Sequence, residues 1–323
     1  MRLRLLIATL FACALLIAPA SASAAFTIGI SENSPGMFSD PLFTGLGVKS
    51  VRVVVPWNVM TANDGRLPEL QQYVAAADSQ GVRVLVSFEH IRGDASLCFR
   101  RSNFRKPVCR IPKLADYERE MRAFMAAFPT VKTISPWNEI NHFTQGTSRD
   151  PRAAARFTDK WRQLCPGCTI VAADVLDQAD DPKAASPTFR KTASYIKRFR
   201  RFLKTPRRIC GIHNYSDVNR FRSTGTRALM KALGCKQYWL TETGGLFKFG
   251  SFWSKRTKKG CRTNASCQLK ATKYMFSLAR SNRKIKALFI YTWFGAVTPR
   301  FDAGLVANGK ARPAYNEVKK RAS

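Results

Sequence analysis

Short apolar runs rich in Val and Ile alternate along the chain with longer segments in which apolar residues recur at helical spacing. The short runs predict β-strands and the longer segments predict amphipathic helices. Alternation of this kind is typical of βα units around a parallel sheet, and not of a β-sandwich. Eight strands are predicted, over residues 26–30, 50–56, 83–88, 133–136, 169–173, 210–213, 238–241 and 287–292.

A helix is predicted after nearly every strand. Asp150 stands directly before Pro151, the pattern of an N-cap followed by proline at the first helical position. Gly81 and Gly234 stand where two helices are expected to end. The predicted helices cover residues 67–80, 114–128, 151–164, 188–202, 224–233, 265–281 and 312–322.

Eight strands with interleaved helices predict a (β/α)₈ barrel, a fold that typically takes about 250 residues plus loops. A doubly wound open sheet is the alternative, but no strand is followed by a glycine-rich phosphate-binding loop. No linker or break in composition marks a second domain. We therefore expect one barrel domain over residues 25–323.

The N-terminus has the features of an export signal. Two arginines are followed by an apolar stretch over residues 5–18 and then by small residues up to Ala24. A membrane anchor is the alternative, but the stretch is shorter than the roughly 20 residues that span a bilayer. The sequence thus predicts a signal peptide over residues 1–24 and a secreted protein without a membrane span.

The chain is strongly basic, with 54 Lys and Arg against 21 Asp and Glu and a net charge of +33. Such a charge favours anionic partners, among them a cell-surface polymer or charged polysaccharide. A general bias toward Lys and Arg is an equally good interpretation, because the charges are spread along the chain. No nucleic-acid-binding motif is present, so a specific nucleic-acid partner is not expected. A monomer is expected.

Eight cysteines remain once the predicted signal peptide, with Cys13, is removed. An even number in an exported protein indicates disulfides. A zinc site or a redox-active CxxC motif is the alternative for Cys165 and Cys168, but no second such pair exists and the motif does not open a helix. No metal and no organic cofactor are predicted. Neighbours in sequence suggest the pairs Cys98 with Cys109, Cys165 with Cys168, Cys210 with Cys235, and Cys261 with Cys267.

Polar and aromatic residues collect at the carboxyl ends of the predicted strands. In a parallel barrel these ends open on one face, so residues distant in sequence converge there. The candidates are Arg52 and Trp57 of the second strand, His90 after the third, Trp137, Asn138 and Glu139 after the fourth, His213 and Tyr215 after the sixth, Glu242 after the seventh and Trp293 after the eighth.

Glu139 and Glu242 are expected to face each other across the barrel mouth. Two carboxyl groups so placed suit cleavage of a glycosidic bond, provided that their pKa values are pushed apart. Arg52 and Tyr215 would keep Glu242 ionised, while Trp137 and the neighbouring histidines would keep Glu139 protonated.

The remaining candidates would bind the sugar. Asn138 is expected to donate a hydrogen bond to a sugar 2-hydroxyl. Trp293 offers a flat aromatic face for a pyranose ring, although a core position is the alternative. His90 and His213 are expected to line the site. Asp174 and Asp177 are as well explained as loop or capping residues as by ligand contacts.

Six segments carry a resemblance to a known superfamily. The chain resembles the clan A retaining glycoside hydrolases, (β/α)₈ barrels that include the cellulase-like family 5 and the xylosidase-like family 39. The resemblance implies that Glu139 is the acid/base and Glu242 the nucleophile, and it leaves the family within the clan open. The segments are WNE at 137–139, LTETGG at 240–245, YTWFG at 291–295, VRVVVPW at 51–57, HNY at 213–215 and DAGLVANGKARPAY at 302–315.

The expected function is therefore hydrolysis of an O-glycosidic bond by double displacement, with a β-linked poly- or oligosaccharide as the expected substrate. The two carboxyl groups should lie roughly 5 to 5.5 Å apart, and a separation above about 6.5 Å would indicate inversion. The alternative is a catalytically inactive barrel that binds carbohydrate or the cell envelope.

Overall fold

Eight parallel strands close into a barrel in the order of the sequence. The computed structural model describes residues 26–177, 187–250, 260–295 and 301–322, so the predicted signal peptide lies outside the described residues. The predicted (β/α)₈ barrel is confirmed. Its strands are β1 (Thr27–Ser31), β2 (Ser50–Pro56), β3 (Arg83–Glu89), β4 (Thr133–Ser135), β5 (Thr169–Leu176), β6 (Ile209–His213), β7 (Gln237–Thr243) and β8 (Ile285–Tyr291).

Helices surround the barrel. The predicted cap of the helix Pro151–Leu164 is present, since the Asp150 side chain accepts hydrogen bonds from the backbone of Arg152 and Ala153. Gly234 ends the helix Thr224–Leu233 with a left-handed φ of 62°. The helices are α1 (Pro41–Thr44), α2 (Arg66–Ser79), α3 (Leu114–Ala127), α4 (Pro151–Leu164), α5 (Pro187–Phe202), α6 (Tyr215–Asn219), α7 (Thr224–Leu233), α8 (Asn264–Arg280) and α9 (Pro313–Ala322).

Short elements fill the loops on the carboxyl side of the strands. Two small antiparallel pairs join Lys248–Phe249 to Phe301–Asp302 and Val306–Ala307 to Lys310–Ala311. Single 3₁₀ turns occur at Pro35–Ser39, Ala95–Phe99, Arg101–Asn103, Pro107–Cys109 and Gly146–Arg149.

The core lies inside the barrel and between the barrel and the helices. Every residue of β2 is buried, as expected for a parallel strand that is covered on both faces. Under α3 and α4, Phe88 stacks on Trp161 at a ring distance of 5.5 Å, and Phe124 packs edge-on against both rings. Within the described ranges, no helix is both long enough and apolar enough to cross a membrane.

The four predicted disulfides are confirmed, with each cysteine paired to its neighbour in sequence. The Cys98–Cys109 bridge closes the long loop after β3, and the Cys210–Cys235 bridge joins β6 to the turn before β7. Cys165 and Cys168 form a disulfide just beyond the end of α4.

Candidate active site

A cleft of about 670 Å³ opens at the carboxyl end of the barrel. This volume is within the usual range for small-molecule sites, and its position is the one at which barrel loops build binding sites. Both predicted glutamates lie on its wall. The lining residues are Glu139, His142, Phe143, Leu176, Asp177, Tyr215, Ser216, Arg220, Glu242, Leu246, Phe249, Tyr291 and Phe301.

Arg52 lies beneath the cleft and is fully buried. Its Nη1 donates to Glu242 Oε1 at 2.6 Å and its Nη2 donates to Asn138 Oδ1 at 2.8 Å. Burial by itself lowers the pKa of Arg52, but the charges of Glu242 and Asp174 outweigh that effect and raise it. A buried guanidinium with charge-assisted bonds of this kind fixes the side chains that it contacts.

Glu242 lies at the end of β7 and is held from two sides. Oε1 accepts from Arg52, and Oε2 accepts from the Tyr215 hydroxyl at 3.1 Å. Burial, followed by the charge of Glu242, raises the pKa of Tyr215 well above its ordinary value, so its phenol keeps the proton that it donates. The carboxylate is therefore fixed in orientation at the edge of the cleft.

Glu139 follows β4 with a backbone φ of 42°, in the left-handed region that a residue with a side chain rarely adopts. The flanking amides fix this conformation: the Asn138 N–H donates to Phe88 O at 2.6 Å, and the Ile140 N–H donates to Asp174 O at 2.9 Å. Since the neighbouring residues are bonded to the adjacent strands, the side chain of Glu139 is turned into the mouth. Strain of this kind is common at functional sites.

His213 lies between the two glutamates and is fully buried. Its Nδ1 is 3.0 Å from Glu139 Oε1 and 3.7 Å from Glu242 Oε2. Burial lowers the pKa of His213, but the charge of Glu242 and the hydrogen bond to Glu139 raise it above its ordinary value. The imidazole is thus placed to form a hydrogen bond with Glu139.

The surroundings of Glu139 do not by themselves favour its protonated form. Burial raises the pKa of Glu139, but the hydrogen bond from His213 and the charges of His213, His142 and Arg52 lower it below its ordinary value. Trp137 was expected to raise the pKa of Glu139, but its ring lies in the core and does not do so.

Glu139, His213 and Glu242 have the composition of a metal site. One ligand atom from each lies within 4.8 Å of the other two. However, Glu242 already accepts a hydrogen bond from the guanidinium of Arg52, and a positive charge there disfavours a cation. Within this cluster, the shortest contact is the one between His213 Nδ1 and Glu139 Oε1, at 3.0 Å.

Two predicted aromatic residues lie outside the cleft. Trp137 is 1% exposed, stacks on Phe157 and donates from Nε1 to Gln145 at 2.9 Å. Trp293 is 0% exposed and contacts Phe43 and Tyr315 edge-on. The expected aromatic platform at Trp293 is therefore wrong, because its ring has no free face.

The other predicted residues are found near the rim or under it. Asn138 is buried beside Arg52. His90 is half-buried, with Nδ1 2.7 Å from Ile91 O and Nε2 3.9 Å from the Glu89 carboxylate. Trp57 is half-buried against the core and is not among the residues that line the cleft.

Glu89, a further carboxylate at the mouth, is not among the candidates predicted from the sequence. It ends β3, and its Oε2 lies 3.4 Å from Asn138 Nδ2, which donates to it. Burial raises the pKa of Glu89, and the charges of Glu139 and Glu242 add to that rise against the lowering effects of His90 and Asn138. The signal was its place at the end of a strand, directly before His90.

Tyr291 was also missed, although it ends β8 and lines the cleft. Asp174 and Asp177 have separate roles. Asp174 is buried within β5, where it accepts from Ser135 at 2.6 Å and from Thr241 at 2.7 Å. Asp177 borders the cleft and accepts from the first backbone amides of α6, and burial raises its pKa well above the ordinary value.

The fold is shared with solved glycoside hydrolases. An exo-β-1,4-mannosidase, Op5Man5 from Opitutaceae bacterium strain TAV5, aligns over 92% of this chain with a TM-score of 0.60 and 15% identity. The chain spans 59% of that protein. No family model matches, and neither does any curated protein.

Two further solved structures match over a larger share of their own length. Xylanase XynB from Paenibacillus barcinonensis, complexed with a conduramine derivative, has a TM-score of 0.64 at 13% identity and covers 92% of this chain and 97% of its own. GH5_18 from Streptomyces cattleya, in complex with GlcNAc, has a TM-score of 0.64 at 16% identity, with 92% and 79% covered. At such identities the likeness establishes the (β/α)₈ fold.

Proposed function

We propose that the protein is a retaining glycoside hydrolase. The observation that carries the proposal is the pairing of Glu139 and Glu242: an oxygen of each lies within 4.8 Å of the other, on the wall of the cleft. Retaining enzymes hold their two carboxyl groups roughly 5 to 5.5 Å apart, whereas inverting enzymes leave about 6.5 Å or more for a water molecule. The spacing favours direct attack by one glutamate.

In the first step Glu242 is the nucleophile. Its Oε2 forms a bond to the anomeric carbon while the bond to the leaving oxygen breaks, and Glu139 gives that oxygen a proton. The proton reaches Glu139 from His213, which lies at hydrogen-bond distance. As Glu242 loses its charge to the new bond, it ceases to favour the protonated imidazole, so transfer to Glu139 becomes easier.

In the second step Glu139 acts as a base. It takes a proton from a water molecule, whose oxygen attacks the anomeric carbon and releases Glu242, and it then returns that proton to His213. Asn138 supports both steps, since Arg52 occupies its Oδ1 and leaves its amide N–H groups to face Glu89 and the sugar 2-hydroxyl. The configuration at the anomeric carbon is retained.

The walls of the cleft suit a poly- or oligosaccharide. Phe143 and Phe249 remain 37% and 48% exposed, and Phe301 packs edge-on against Phe249 at 5.5 Å. Exposed rings of this kind cover the apolar faces of pyranose units. They take the place that the sequence analysis assigned to Trp293. The solved mannosidase and xylanase with this fold favour a β-linked substrate.

We place this activity outside the cell. Four disulfides lie within the described residues, and such bridges persist in oxidising environments. The signal peptide that the sequence predicts also indicates export from the cell.

The test is a panel of neutral and acidic β-glycans and aryl β-glycosides, followed by NMR of the first product formed. Retained configuration is expected, with loss of at least about 10³-fold in kcat for Glu242→Gln. Glu69→Gln, on the exposed face of α2, is the matched control. An inverted product, or full activity in the Glu242 variant, would overturn the proposal. Ligand binding without any turnover would instead support the inactive binding barrel.

A further inference from the structure

The residues at the two ends of the barrel strands carry opposite charges. Six of the eight strands begin with a basic residue or directly follow one: Lys49, Arg83, Lys132, Arg208, Lys236 and Lys284. At the opposite end, five strands finish in or are closely followed by a carboxylate: Glu32, Glu89, Glu139, Asp177 and Glu242. We call the end at which the strands begin the basic pole.

Helix ends add to the basic pole, because the helices run back from the mouth and finish there. The last turns of α5 carry Lys197, Arg200 and Arg201, and the last turn of α7 carries Lys231. The segment 187–237 contains fourteen Lys and Arg residues and a single acidic residue, Asp217. Some of these cations, such as Arg220 in the cleft at the mouth, lie at the opposite end, whereas those in the last turns of α5 and α7 contribute to the pole.

Three shallow clefts follow one another around this rim. The first, about 450 Å³, includes Arg162 and Arg208. The second, about 510 Å³ and between α5 and α7, is lined by Lys197, Arg200, Arg201 and Arg207 with two alanines. The third, about 470 Å³, includes Lys231, Arg283 and Lys284. Each cleft thus presents cations to solvent.

Two of these arginines are held in place by the backbone. Arg200 donates to Ala232 O at 2.7 Å and Arg207 donates to Leu233 O at 2.5 Å, both at the end of α7. Burial, followed by the charge of Arg200, lowers the pKa of Arg207, as expected where cations accumulate. The geometry of the second cleft is therefore preformed.

In the part of the chain that the structure describes, most exposed cations of the pole form no ion pair, although Arg162 of the first cleft lies near the charge of Asp159. Within the described residues, Lys197, Arg201, Arg208, Arg283 and Lys284 make no ion pair. Asp159 lies toward this end, but it accepts from the backbone amides of Lys204 and Thr205. These side chains are therefore available to pair with an anion from outside the protein.

We propose that the basic pole binds an anionic polysaccharide, with carboxylate groups along the polymer occupying the successive clefts. A linear polymer fits three cation-lined clefts in series. The clefts lack exposed aromatic rings on which nucleic-acid bases would stack. The exposed phenylalanines, which a lipid surface would require, lie elsewhere, with Phe143 and Phe249 at the mouth.

The test compares two triple variants with the same change in net charge. Arg201→Gln, Arg208→Gln and Arg283→Gln neutralise the pole. Arg101→Gln, Arg105→Gln and Arg110→Gln neutralise three exposed arginines in the loop after β3, on the mouth side. Affinity for polygalacturonate, with neutral dextran and a duplex DNA as comparison ligands, is measured at several salt concentrations, and thermal unfolding checks that each variant is folded.

The pole variant is expected to bind polygalacturonate on the order of tenfold or more weakly at low salt, with a smaller slope of log affinity against log salt concentration. The mouth-side variant is expected to stay within about twofold of the native protein. Equal losses in both variants, no preference over dextran, or tighter binding to the DNA would each overturn the proposal. None of these results depends on hydrolysis, so the proposed enzyme activity stands or fails separately.

Discussion

Arg52 is the residue on which the geometry of the mouth depends. From β2 it reaches groups on five other barrel segments, and it does so without exposure to solvent. A guanidinium offers five N–H groups in a fixed plane, which a lysine ammonium cannot reproduce. Its partners are Ser31, Ser87, Asn138, Asp174 and Glu242.

Replacement of Arg52 by lysine should therefore impair both folding and catalysis. Arg52→Lys leaves several buried acceptors unpaired, and we expect a loss of about 3 kcal/mol in the free energy of unfolding. We also expect kcat/KM to fall at least about 10²-fold, because Glu242 loses its orientation. Urea unfolding and steady-state kinetics measure the two effects. Arg66→Lys, in an exposed pair on α2, should change neither; native-like kinetics in Arg52→Lys would contradict this account.

His213 gives stability a dependence on pH. Its folded pKa lies above the ordinary value of 6.5, so its contribution is full below that value and is lost as the pH rises through the folded pKa. The free energy of unfolding should therefore decline as the pH is raised beyond neutrality. His213→Gln should remove that decline, as measured by urea unfolding between about pH 6 and 9. His90→Gln, at the rim, should preserve it, and an unchanged profile in the His213 variant would refute the assignment.

The polar residues of the mouth could be predicted from the sequence because the carboxyl ends of parallel strands lie on one face of a barrel. The direction in which a side chain beyond the end of a strand points could not be predicted. Asn138 and Glu139 face the mouth, but Trp137 turns outward against Phe157 of α4. The left-handed backbone at Glu139 accompanies this change of direction, and the sequence carries no sign of it.

Among the elements, β6 has the tightest constraint. Gly211 in its centre leaves no room for a side chain, since a Cβ there would overlap the Asp174 carboxylate and contact the Thr241 hydroxyl. Those two groups are bonded to each other at 2.7 Å. The glycine therefore makes space for a buried network inside the barrel.

Gly211→Ala should displace Asp174 and weaken its hydrogen bond with Arg52. We expect destabilisation of about 2 to 4 kcal/mol together with a loss of activity. Denaturant unfolding and kinetics would show both. Gly167→Ala is the control, because a Cβ at that position meets open space. A fully stable Gly211 variant would show that the network has more freedom than the structure implies.

Most element bounds could be predicted from the sequence, because the barrel strands and helices follow simple periodicity. β5 is an exception: it extends to Leu176, whereas the prediction ended at residue 173. A carboxylate at position 174 is unfavourable in a buried strand unless it is paired, and its partners come from β2, β3, β4 and β7. α6 was missed because five residues are too few to show a helical period.

At the scale of the whole molecule, exposed and buried charges should respond differently to salt. The pole cations are exposed, so added salt screens them, while the charges around Arg52 are buried. Raising NaCl from about 50 to 500 mM should weaken binding to polygalacturonate by more than about tenfold. The same change should alter kcat/KM on a small neutral glycoside by less than about twofold. A parallel loss of both would indicate that substrate and polymer share one surface.

The length of the strands has a consequence for how the two charged ends affect each other. β2 has 7 residues, so its two ends lie roughly 20 Å apart, more than twice the screening length of about 8 Å at physiological ionic strength. Solvent screening therefore weakens the effect of the exposed pole arginines on Glu139 and His213, while the part of the field that crosses the buried interior is screened less. Exposed arginines can thus be added to or removed from that surface, by evolution or by design, with only a small effect on the groups at the other end.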